Sequence, residues 1–300
     1  MRPYSPSNKL SISSGSIILF LYAIFVGVVF GVPLGYFVNL ATFPPLPPIA
    51  MGLLNRWLLK YGIKKWKVAS PLLAIVCAIV MSIFSYTALH YAQYFVFRTE
   101  TQEFVKQETG IENARETDQM VDDFLFQYTG STGFWGYLLL TAESGVSALR
   151  ITDTFGNVTA TGIWAWLFWL FELAVIAVIT VLMGKRAASE PFCQTCQDWY
   201  EFDHVGNVTD EDKPQLLQTV QLGDYHQTGT LITSDNLPFP RVGLYAGECS
   251  CGDDNAAEVL KVTQVSENSF GRLKFKDLMV GILSSTEMDN LLEPTTCAED

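Results

Sequence analysis

The residues best suited to chemistry are four cysteines in two close pairs, Cys193-Gln-Thr-Cys196 and Cys249-Ser-Cys251. A Cys-x-x-Cys turn lets two thiolates converge on one tetrahedral ion, and a second short pair completes the sphere at Zn–S distances of about 2.3 Å. Cys193, Cys196, Cys249 and Cys251 are therefore expected to hold one structural zinc ion, with His204 or His226 able to replace a cysteine. Two alternatives stay open: a redox pair at Cys193 and Cys196, or reduced cysteines without a ligand. A thioredoxin-like pair follows a strand and opens a helix; this one follows an apolar run and Pro191. A catalytic zinc needs an open position and a base nearby, and no residue in the sequence marks such a base. Cys77 lies in an apolar run and reads as a small apolar residue. Cys297, in a polar tail, is unassigned.

A second chemical candidate is Glu172, inside the apolar run Gly162 to Met183. A carboxyl at mid-membrane depth costs on the order of 3 kcal/mol. It should therefore be protonated, face other helices or have a partner, for which His90 is the candidate. Glu172 then reads either as an ion-handling group or as a protonated side chain that joins helices.

These residues sit in a chain of two compositions. Of its 300 residues 49% are hydrophobic and the net charge is -12. The long apolar runs precede Gly184, whereas 20 acidic and 6 basic residues follow from Ala187 onward. That division predicts a transmembrane region over 1–186 and an acidic soluble domain over 187–300. So acidic a surface argues against nucleic acid and against anionic lipid headgroups as partners of that domain.

The run Gly162 to Met183 would extend roughly 33 Å as a helix, enough for a hydrocarbon core of about 30 Å. Trp164, Trp166 and Trp169 lie toward its start and Lys185 and Arg186 follow its end, an arrangement suited to membrane interfaces. Further spans are expected over 16–40 and 69–97. The first is longer than a signal-peptide core and lacks a cleavage site, so it is read as retained. Its Gly27, Gly31 and Gly35 recur every fourth residue and predict a flat stripe for helix packing. Between the first two spans, Pro44, Pro45, Pro47 and Pro48 speak against a regular helix over 41–55. Arg56, Lys60, Lys64, Lys65 and Lys67 form the densest basic cluster and read as a cytoplasmic loop. With Arg2 and Lys9 also cytoplasmic, 45–55 must return across the bilayer as a proline-broken helix or re-entrant hairpin. Residues 99–134, with eight acidic and two basic residues, are placed outside, and Phe134 to Arg150 reads as an amphipathic stretch at the outer interface.

The expectation is thus an α-helical membrane protein of about four segments, multi-pass in a cell membrane, with both termini cytoplasmic and a small α+β cytoplasmic domain. In that domain Lys213 to Leu222 reads as a helix, and Val242 to Ala246 and Val259 to Val265 as strands of a hairpin. Ser284 to Leu292 reads as a helix capped near Ser285 or Thr286. Two glycosylation sequons, at Asn157 and Asn207, carry no weight because the pattern is frequent by chance.

The span containing Trp166, Trp169 and Glu172, followed by Pro191-Phe-Cys193-x-x-Cys196-x-x-Trp199, resembles a set of uncharacterised bacterial membrane proteins. The resemblance is strongest from Gly162 to Tyr200 and weak elsewhere; the proline-rich stretch after Leu40 departs from it. It implies a bacterial inner-membrane location and this domain plan, but no activity. The residues themselves favour a non-enzymatic scaffold or interaction protein whose zinc-stabilised domain binds a protein partner. Transport built on Glu172 and a membrane thiol oxidoreductase using Cys193 and Cys196 are the alternatives. No nucleotide-binding, Ser-His-Asp or metalloprotease motif occurs.

Overall fold

The apolar runs fold as helices. The computed structural model describes residues 1–6, 13–38, 46–111, 113–149, 158–233, 237–249 and 257–296. The chain divides into two units, Asn8–Ser189, and Met1–Ser7 with Glu190–Asp300.

The first unit contains α1 (Ser14–Val38), α2 (Leu46–Lys65), α3 (Pro71–Thr109), α4 (Ala114–Thr129), α5 (Gly133–Ser144), the strands β2 (Val146–Leu149) and β3 (Val158–Ala160), and α6 (Ile163–Ala188). Three of these helices, within Ser14–Phe37, Pro71–Thr109 and Ile163–Ala188, are long and apolar enough to cross a membrane. The proline-rich stretch behaves differently from expectation. Helix α2 begins at Leu46 and takes Pro47 and Pro48 into its first turn, where the amide hydrogens that proline lacks would have no partner anyway. Arg56, Lys60, Lys64 and Lys65 consequently lie on this helix, and only Lys67 of the basic cluster falls in the short turn before α3. Pro44 and Pro45 lie outside the described residues.

Helices α1, α2, α3 and α6 form an up-and-down bundle, as the pairs that meet at each end show. At one end Gly15 lies against Trp66, Gly62 against Leu19, and Gly184 against Leu59. At the other, Met51, Leu89 and Trp169 share one apolar cluster with Leu34. Gly27, Gly31 and Gly35 set the α1–α3 spacing. A Cβ at Gly27 would lie 2.9 Å from the Met81 carbonyl oxygen, and at Gly31 and Gly35 it would run into the carbonyl oxygens of Ser85 and Leu89. Such close backbone approach and interhelical hydrogen bonds are the contacts by which helices adhere where the surrounding solvent is apolar. Asn55 of α2, fully buried, donates to Ser85 Oγ of α3 at 3.0 Å.

Helix α3 extends about 58 Å by its length, roughly twice a hydrocarbon core. Ser70 caps its start and Gly110, left-handed at φ 70°, ends it. The acidic segment expected over 99–134 is the end of α3 followed by α4, closed as a hairpin by Arg98. Its Nε lies 2.9 Å from Asp118 and its Nη2 3.4 Å from Asp122. The amphipathic stretch from Phe134 divides into α5 and the strand β2, which pairs with β3.

The second unit is an α+β domain. Its antiparallel sheet has the order β1–β9–β8–β7–β6, built from β1 (Arg2–Pro3), β6 (Glu201–Thr209), β7 (Arg241–Glu248), β8 (Glu258–Glu267) and β9 (Leu273–Leu283). Helices α7 (Lys213–Leu222), α8 (Tyr225–Gly229) and α9 (Ser285–Thr296) accompany it, with a ribbon of β4 (Phe192–Cys193) and β5 (Asp198–Trp199). Val208, Leu216, Val220, Leu244, Leu260 and Leu291 form the heart of its core. The cap of α9 is Ser284, not Ser285 or Thr286. Ser284 Oγ accepts from the Glu287 amide, and the Ser284 amide donates to Glu287 Oε2 at 2.8 Å, a reciprocal capping box. The N-terminal residues, assigned from sequence to the membrane region, belong here. Arg2 and Pro3 pair with Ile282 and Gly281, and the Tyr4 amide donates to Val280 O at 3.0 Å.

The glycine stripe yields a direct test. Gly31→Val should destabilise the detergent-solubilised protein by about 1–3 kcal/mol, the usual cost of overpacking. Val29→Ala, at an exposed position of the same helix, should leave the thermal transition nearly unchanged.

Candidate metal centre

Residue 190 begins a short chain of contacts that shapes the first cysteine pair. Tyr4 Oη donates to Glu190 O at 3.3 Å and accepts from the Phe192 amide at 3.2 Å. Phe192 and Cys193 then pair antiparallel with Trp199 and Asp198. The rings of Phe192 and Trp199 meet edge to face at 4.9 Å, closing the ribbon from one side. Its turn is tight: Gln197 adopts φ 54° and its side-chain amide donates to Gln194 O at 2.8 Å. Such a turn brings Cys193 and Cys196 to one point.

The third cysteine comes from the sheet. Cys249 immediately follows β7, whose end is fixed by the pairing of Glu201 with Glu248. The Sγ atoms of Cys193, Cys196 and Cys249 all lie within 4.8 Å of one another, with Cys193 buried. Tetrahedral ligation at about 2.3 Å places sulfurs about 3.8 Å apart, so closing on one ion would draw these sulfurs together by no more than about 1 Å. Among the described residues these three cysteines form the group that could hold a metal ion. Cys251 and Cys297 lie outside them. His204 sits on β6, its Nε2 3.2 Å from Asn207 Oδ1 and its ring against Tyr245, and His226 lies on α8. Neither belongs to the cluster.

The electrostatics suit a cation. Burial raises the Cys193 pKa. Hydrogen bonds outweigh it: the Cys196 amide, the Cys249 and Cys196 thiols and the Thr195 amide donate to its sulfur and bring it down to about 6. Backbone amides aimed at a sulfur favour the thiolate, the form that binds metal. Tyr200, which the motif did not mark, borders the site. Its hydroxyl donates to Ala257 O at 2.8 Å, and its pKa is raised by burial first and then by the Cys193 thiolate beside it. An aromatic residue directly after Trp199 was the only sequence signal for it.

In the helical unit, Glu172 has a partner that the sequence did not single out. Tyr86 Oη of α3 donates to Glu172 Oε2 of α6 at 2.7 Å. His90 lies one turn along α3 with its ring edge-on to Tyr86 at 4.5 Å and to Trp169 at 5.3 Å. His90 Nε2 is buried without a hydrogen-bond partner among the described residues. Position 86, four residues before His90 on the same helix, was the legible signal for Tyr86.

Comparison with protein-family models, with curated proteins and with solved structures finds no match for this chain.

Tyr86→Phe removes the donor to a half-buried carboxyl and should destabilise the protein by about 1–3 kcal/mol. Tyr91→Phe, at an exposed ring on the same helix, should change little. Thermal unfolding of both variants in one detergent checks this.

Proposed function

We propose that this chain is an integral membrane protein whose soluble domain is organised by one structural zinc ion and serves as a membrane-tethered interaction module. One observation carries the reading: three cysteine sulfurs from a ribbon and a strand end, remote in sequence, lie within 4.8 Å of one another. Cys251, two residues beyond Cys249 in the sequence, is the proposed fourth ligand. Four thiolates would close the sphere, and a closed thiolate site is a folding element. The metal would join the ribbon to the sheet and add folding free energy to a small domain.

In this reading α2 crosses the bilayer with α1, α3 and α6. Its 20 residues extend about 30 Å and it runs the depth of the bundle. Lys60, Lys64 and Lys65 lie toward its end, whereas Arg56, exposed at its middle, is a charge that the crossing must carry at a cost of about 3 kcal/mol or relieve by snorkelling. The cysteines would face a reducing cytoplasm, where metal is favoured over disulfide. The Tyr86–Glu172 hydrogen bond supports Glu172 as a link between helices over a transport role.

Metal analysis of the purified full chain, prepared without added metal and under reducing conditions, decides the reading. About one zinc per chain is expected, lost in Cys193→Ser and in Cys249→Ser. A metal-free protein that cycles a Cys193–Cys196 disulfide would replace this proposal with a thiol oxidoreductase.

A further inference from the structure

The domain is acidic as a whole, yet its β8–β9 hairpin is not. Between Glu267 and Lys276 the sequence carries Arg272, Lys274 and Lys276 against the single carboxylate of Glu267. These are three of the six basic residues found from Ala187 onward. The same tip exposes large apolar side chains: Phe270 is 85% exposed, Phe275 52% and Leu273 47%.

This presentation is built. Asn268 Oδ1 accepts from the amides of Phe270 and Arg272 at 3.0 and 2.9 Å. The Asn268 amide donates to Arg272 O at 2.9 Å, and Gly271 turns the chain at φ 72°. Phe270 is therefore held at the apex by a hydrogen-bonded turn. Beyond it, Leu273 and Phe275 share one face of β9, and Lys274 and Lys276 the other, as the two-residue period requires. Lysines on an open strand edge also deter sheet-to-sheet association, but that role leaves three exposed apolar side chains unexplained. A soluble surface rarely concentrates them at one rigid apex.

We propose that this hairpin docks on a bilayer surface containing anionic phospholipid, with Phe270, Leu273 and Phe275 entering the headgroup boundary and Arg272, Lys274 and Lys276 meeting lipid phosphates. Charge complementarity selects the occupant. A cationic residue near an anionic leaflet gains on the order of 1 kcal/mol, apolar and aromatic side chains favour the interface, and the acidic remainder of the domain is repelled. The net charge of a domain thus excludes less than its distribution. The inference rests on the reading of the chain as membrane-embedded.

Hydrogen–deuterium exchange of the full chain tests it in three settings: detergent, phosphatidylcholine nanodiscs, and nanodiscs that also contain phosphatidylglycerol. Co-elution with the discs reports membrane embedding separately. The amides of 268–276 should exchange about tenfold more slowly in the anionic discs than in the neutral ones, while those of β7 stay constant. Lys274→Glu with Lys276→Glu should abolish the difference, and Phe270→Ser should reduce it. Incorporation into discs with equal hairpin exchange in all three settings would overturn the proposal and leave the embedding intact. Equal protection in both kinds of disc would also overturn it, because contact with the bilayer would then not depend on anionic lipid.

Discussion

The pairing of Arg2 and Pro3 with Ile282 and Gly281 constrains everything between them. It puts the first residues of the chain and the region after Glu190 into one folded unit. A folded sheet cannot be divided by a bilayer, because unpaired backbone groups in hydrocarbon cost several kcal/mol each. Any segment between them that crosses a membrane must be matched by one that returns. Among the described residues three helices qualify by length and apolarity alone, which is an odd number. In the proposed reading α2 restores parity, and the packing agrees: Gly62 meets Leu19 near the start of α1, and Met51 shares a cluster with Leu34 near its end.

The same constraint gives the N-terminal residues a role at the candidate metal centre. The Tyr4 hydroxyl bridges Glu190 O and the Phe192 amide, directly before Cys193. The ribbon that presents two thiols is therefore anchored by a strand from the far end of the chain. Cys249 arrives through the β6–β7 pairing. Local turn chemistry, a long-range strand and a sheet register all converge on three sulfurs, and the amides aimed at Cys193 favour its charged form.

Much of this was legible in the sequence. The helix over Lys213–Leu222 and the strands within Arg241–Glu248 and Glu258–Glu267 follow from periodicity and β-branched content. The stripe of Gly27, Gly31 and Gly35 follows from spacing. What escaped depends on long-range partners. A strand as short as Arg2–Pro3 has no pattern of its own and exists because β9 offers an edge. Helix α2 was obscured because prolines were weighed as breakers without fixing where the helix starts, and because its charges hide a buried face of Met51, Asn55, Leu59 and Ile63. Tyr86 and Tyr200 gain their roles from neighbours 86 and 57 residues away, a separation no local window spans.

The claim that α2 returns across the bilayer is tested most directly by sidedness. Single cysteines introduced at Thr42, Lys67 and Gln221 can be labelled in sealed vesicles with a membrane-impermeant thiol reagent, each site being read by peptide mass spectrometry. The account predicts that positions 67 and 221 label from one side and position 42 from the other. If position 42 instead labels from the same side as 67, α2 does not cross and the parity argument fails.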